Sequence, residues 1–95
     1  MGQGLENHPS FFLFTITAIA DPALLPRILG FFAQDNLVPQ RIKSHHFKDG
    51  DLVLDLCLNT ISDQRASVIA EKLRQLIPVK HVHRERTILI KTDAA

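Results

Sequence analysis

Residues 11–32 read FFLFTITAIADPALLPRILGFF, and within them the hydrophobic period changes once, from two to about 3.6. In the first half Phe12, Phe14, Ile16 and Ala18 fall on one side of an extended chain, and Leu13, Thr15, Thr17 and Ile19 on the other. Both sides are largely apolar, so this strand, read as Phe11 to Ala20, belongs at the centre of a sheet. In the second half Leu25, Ile28, Leu29 and Phe32 recur at helical spacing. The change falls at Asp21-Pro22, an N-cap followed by proline at the first helical position. Pro26 interferes with a helix begun there, because its ring would press on the Pro22 carbonyl and remove one hydrogen bond. Either the first turn is distorted or the regular helix begins at Pro26. Asn36 is expected to close the helix in the left-handed conformation.

Outward from this unit, residues 37–47 read as a second strand, with Pro39 confining its start to a sheet edge. Residues 49–59 read DGDLVLDLCLN. Asp49-Gly50 is expected as a type I′ hairpin turn with positive φ at both residues. Leu52, Leu54, Leu56 and Leu58 then share a core face, and Val53, Asp55, Cys57 and Asn59 a wetter one. Ser62 or Thr60 caps a second helix whose stripe is Ala66, Ile69, Ala70, Leu73 and Leu76, and Pro78 stops it. Val79 to about Thr87 is the fourth strand; Ile88-Leu89-Ile90 either lengthens it or docks on a partner.

The order strand, helix, strand, strand, helix, strand specifies an α+β fold, a ferredoxin-like βαββαβ sandwich: a four-stranded antiparallel sheet with two helices on one face. Its expected core is Phe12, Phe14, Ile16, Leu25, Ile28, Leu29, Phe32, Ile42, Leu52, Leu54, Leu56, Ile69, Leu73, Leu76 and Val82. The other sheet face carries Thr15, Thr17, Lys43, Asp55, Cys57, Asn59, His81 and His83, and is either solvated or an interface. Residues 1–10 read as a flexible tail, 11–91 as one domain and 92–95 as a flexible end.

Composition narrows the function. A chain of 95 residues with net charge +1 is one domain with no general pull toward nucleic acid or membrane. Cys57 is the only cysteine, so no intramolecular disulfide and no cysteine-based zinc site is expected, and a reducing, cytoplasmic setting fits. No apolar run approaches the ~20 residues that span a bilayer. The first ten residues lack the pattern of a signal peptide, and Glu6 stands where a myristoylation motif needs Ser or Thr.

Chemistry-bearing groups are few. His45-His46 and His81-x-His83 lie on the second and fourth strands, which occupy opposite edges in the usual order of this fold. Solvated histidines are the default, and a metal site would need a dimer. Arg41, Lys43, Lys80, Arg84 and Arg86 make the edges basic, but the wetter face lacks aromatic platforms for stacking bases, so no nucleic-acid partner is expected. Cys57, between Leu56 and Leu58, reads as a packing residue. No nucleophile elbow, phosphate loop or carboxylate pair is present; no catalytic residue, cofactor or metal is expected, and the chain is read as not an enzyme.

Residues 15–32, Asn36 to Ile42, the hairpin, and the second helix leading into Ile77-Pro78-Val79-Lys80-His81-Val82 resemble an ACT domain. The nearest likeness is to the short regulatory (small) subunit of acetolactate synthase. The resemblance implies a homodimer joined by an edge strand into an eight-stranded sheet, with a large catalytic subunit of amino-acid biosynthesis as partner. It implies an amino acid or related metabolite at the dimer interface, between the first strand–helix loop and the start of the second strand. Candidate ligand-binding residues are therefore Ala20, Asp21, Pro22, Ala23, Leu24, Val38, Pro39 and Gln40. Against the family pattern, Ala20 stands at the loop asparagine, Ala23 at the close-approach glycine and Val38 at an asparagine of the second strand. Gly30 matches a glycine that lets helix and sheet pack closely. The missing amides and glycine, with Asp21 adding a negative charge, point to a subunit that holds its enzyme; a stand-alone metabolite sensor is the alternative. Capping alone is the simpler reading of Asp21-Pro22.

Overall fold

The computed structural model describes residues 10–59 and 61–88. The elements follow as β1 (Ser10–Ile19), α1 (Leu24–Gln34), β2 (Arg41–His46), β3 (Asp51–Asn59), α2 (Asp63–Arg74) and β4 (Val79–Ile88). The strands form one antiparallel sheet in the order β2-β3-β1-β4. This is the expected ferredoxin-like sandwich. The expected tails, the Thr60 cap and Leu89-Ile90 lie outside the described residues, while Ile88 extends β4 opposite Ser10.

Register decides which face is buried. β1 pairs Phe12, Phe14, Ile16 and Ala18 with Leu58, Leu56, Leu54 and Leu52 of β3. Residues opposite one another share a face, and this face meets both helices in a single cluster with Leu24, Ile28, Phe32, Ala66, Ile69, Ala70, Leu73, Leu76 and Val82. At about 25 cal/mol per Å² of apolar surface, each fully buried Leu, Ile or Phe contributes roughly 1.5–3 kcal/mol before entropy is counted.

Four local expectations change. The α1 stripe is centred on Leu24, Ile28 and Phe32, with Leu25 and Leu29 half-buried at its rim. Ile42 is 38 % exposed, because all six residues of β2 lie on an edge that the core does not reach. The hairpin is a three-residue loop, not a two-residue type I′ turn. Phe47 N–H donates to the Asp51 carbonyl (2.8 Å), Gly50 N–H to the Phe47 carbonyl (3.1 Å), and only Gly50 takes positive φ (97°). That is a type I turn with glycine in the left-handed position. Finally, Gly30 is exposed, and a Cβ built there meets nothing within 4 Å, so close packing is not its role.

The remaining caps follow the residue chemistry. Asn36 has φ 58°; its N–H donates to the Ala33 carbonyl and the Leu37 N–H to the Phe32 carbonyl (3.1 and 2.8 Å). Those two bonds are a Schellman closure. Ser62 Oγ accepts from Arg65 N–H at 3.0 Å, satisfying a donor at the start of α2. No helix among the described residues is long and apolar enough to cross a membrane.

Candidate functional site

The turn between β1 and α1 is held in place before any ligand is considered. Ala20 N–H donates to the Gly50 carbonyl at 3.0 Å, fixing the turn to the hairpin. Asp21 Oδ1 then accepts from Ala23 N–H at 2.9 Å, and the Asp21 carbonyl from Leu24 N–H at 3.0 Å. Regular helix begins at Leu24, so Pro26 sits in the first turn, where a missing N–H costs nothing. The distortion expected from Pro26 is thus confined to one turn ahead of the helix.

This arrangement uses most of the anion-binding donors of the helix start. A helix N-terminus holds a carboxylate through its unpaired N–H groups and its dipole. Pro22 and Pro26 have no N–H, and those of Ala23 and Leu24 are already bonded to Asp21. Leu25 alone is left, and the Asp21 carboxylate itself occupies the turn. Ala23 has φ −86°, so the glycine of the family pattern is not required for backbone conformation here.

An open cleft of about 440 Å³ lies beside the turn, lined by Ala20, Asp21, Pro22, Leu25, His46 and Leu52. The structure thus brings Ala20, Asp21 and Pro22 together. Leu24 does not join them: at 1 % exposure it belongs to the core, because the first helical turn directs it onto the sheet. Ala23 is exposed beside the turn. His46 and Leu52 were not expected as lining residues; their register, in which they face one another across β2 and β3, puts them there.

Val38, Pro39 and Gln40 are elsewhere. Gln40 N–H donates to the Cys57 carbonyl at 2.7 Å, whereas the turn is tied to Gly50. Seven residues of β3 separate these points, or ~24 Å at ~3.4 Å per residue. Within one chain the two walls of the expected ligand site are at opposite ends of the sheet. Val38 is 82 % exposed.

β2 and β4 are the two sheet edges, so His45 and His46 are not brought near His81 and His83 within one chain. His45 instead packs against Phe47 in a tilted pair, ring centroids 4.2 Å apart. Cys57 is buried at 8 % exposure, as a packing residue should be.

The family model for ACT-like domains matches residues 6–89. The chain belongs to this family. Among solved structures, the ACT domain from GTP pyrophosphokinase of Chlorobium tepidum superposes with TM-score 0.67 at 19 % identity, covering 79 % of this chain and 96 % of that one. The C-terminal domain of the MgtC protein from Mycobacterium tuberculosis gives 0.68 at 10 % identity, over 92 % and 97 % of the two chains. A homoserine dehydrogenase from Thiobacillus denitrificans gives 0.65 at 18 % identity, over 82 % of this chain but 17 % of that one. At these identities the likeness is one of fold. Comparison with curated proteins finds no match. The ACT-like domain is a regulatory module, and its candidate site here is a turn most of whose backbone donors are already used.

Proposed function

We propose that this ACT-like domain is a homodimeric small subunit that regulates or stabilises an amino-acid biosynthetic enzyme such as acetolactate synthase, whose short small subunit its sequence resembles, and that it has no catalysis of its own. One observation carries this reading: the Asp21 carboxylate and two prolines leave the α1 start almost without donors for a ligand carboxylate. A subunit that holds a partner does not need those donors; an amino-acid sensor does.

The dimer follows from the free edge. Among the described residues β2 pairs only with β3, and all six of its residues are exposed. An uncovered edge offers a template for a second strand. Antiparallel pairing of β2 with its copy about a two-fold axis sets the start of one strand beside the end of the other. Val38 to Gln40 of the second copy then run past His46 toward the Ala20–Ala23 turn. The two walls separated by ~24 Å in one chain meet across such a dimer.

The full chain is expected to sediment as a dimer and to co-purify with a much larger catalytic subunit. Thermal unfolding measured against all common amino acids should show no selective stabilisation. Stabilisation by one amino acid, abolished by Ala20→Asp, would replace the subunit reading with that of a stand-alone sensor.

A further inference from the structure

The sheet face turned away from the helices carries a second hollow, unrelated to the β1–α1 turn. It lies where Leu13, Cys57 and Arg41 form one cross-strand row and Thr15, Asp55 and Lys43 the next. Its volume is about 180 Å³, and Phe11, Leu13, Arg41, Lys43, Asp55 and Cys57 line it. The floor is apolar: Cys57 is 8 % exposed, and Phe11 and Leu13 are half-buried.

The rim is charged and incompletely satisfied. Asp55 Oδ1 accepts from Thr15 Oγ1 at 3.0 Å, which fixes the carboxylate on its strand. Arg41 and Lys43 are exposed and make no ion pair or side-chain hydrogen bond among the described residues, although Arg65, Lys72, Arg74, Lys80 and Arg84 all do. Two cations and one carboxylate leave a single positive charge over an apolar floor.

We propose that this hollow binds a small monocarboxylate with a short aliphatic tail. Arg41 offers the planar fork that matches a carboxylate and Lys43 adds a point charge, while Phe11, Leu13 and Cys57 take the tail. At about 180 Å³ the hollow seats a small ligand on its apolar floor. Phosphate would leave the apolar floor uncovered, and a nucleotide is too large. Arg41 and Lys43 belong to β2, but they share the open sheet face with Cys57 and Asp55, so pairing through the β2 backbone leaves that face uncovered. It stands or falls independently of the subunit reading.

Cys57, the only cysteine, is a built-in reporter. In the full chain, 4-methylpentanoate should slow modification of Cys57 by a thiol reagent at least fivefold. The neutral 4-methylpentanamide and the zwitterion leucine should each need about tenfold more for the same protection, the difference made by ~1.4 kcal/mol. Arg41→Gln with Lys43→Met should remove the preference for the acid over the amide. Backbone amide shifts of the wild-type chain test the site without any variant: the acid should move Leu13, Lys43 and Cys57 and leave Ala23 unmoved. Equal protection by acid and amide, stronger protection by leucine, no protection at all, or shifts confined to residues 20–25 would each overturn the proposal.

Discussion

The two edges of this sheet are finished differently. At β4, α2 reaches over: Arg74 Nη2 donates to the Val82 carbonyl at 3.2 Å, and Arg84 Nη1 returns to the Asp63 carbonyl and Ser67 Oγ at 3.1 and 2.9 Å. The Arg84 guanidinium also lies 5.7 Å from the centre of the Phe12 ring. At β2 no comparable side chain arrives among the described residues, and even Ile42 on the helix side is 38 % exposed. One edge is braced by its own helix and the other is open. In the proposed dimer the open β2 edge is the one that extends the sheet.

The effect that would most directly break this contrast concerns association. Val38→Glu, at the end of the paired strands, should weaken the dimer by at least about fivefold, the ~1 kcal/mol at which an interface residue counts, as read by sedimentation equilibrium. His83→Glu on β4 should leave it unchanged. If both substitutions act equally, the edges are not distinguished in solution.

The brace itself comes next. Arg84→Ala removes two hydrogen bonds and a cation–aromatic contact at a side chain 30 % exposed. Chemical denaturation should register a loss of about 1–2 kcal/mol. Ser62→Ala removes the cap of the helix that provides the brace and should cost about 1 kcal/mol, with the β4 amides gaining hydrogen-exchange rate before those of β3.

A smaller change should go the other way. Gly30 sits mid-helix in α1 with open space around its missing Cβ, so Gly30→Ala should stabilise the fold by about 0.5–1 kcal/mol without altering dimerisation. The Lys80–Asp51 pair should contribute least. At 2.6 Å it is short, but Lys80 is 42 % exposed, and Lys80→Ala should change the midpoint by no more than the ~0–1 kcal/mol of a surface ion pair.

Much of the fold could be read locally. The alternation in 11–19 and 52–58 named the residues that face the helices, and Asn36 and Ser62 named two helix ends. The site was less legible. Leu24 looked like part of a ligand loop and is core, because the helix phase depends on where the first regular turn starts. Asp21 reads as the N-cap, with Pro22 at the first helical position, but the cap position is Ala23, and Asp21 instead closes a turn ahead of it, taking a donor a ligand would use. His46 and Leu52 entered the cleft through strand register, which no local pattern of residues 20–25 contains.

By itself the sequence determined the order of elements, the face each strand buries and the absence of the family's loop amides, because periods of two and 3.6 are properties of neighbouring residues. Only the tertiary structure decided which edge is braced, that the turn and residues 38–40 stand at opposite ends of the sheet, and that Arg41 and Lys43 find no partner among the described residues above an apolar hollow. Those outcomes depend on how distant segments are registered and layered, and charge or donor satisfaction is settled only when those segments meet.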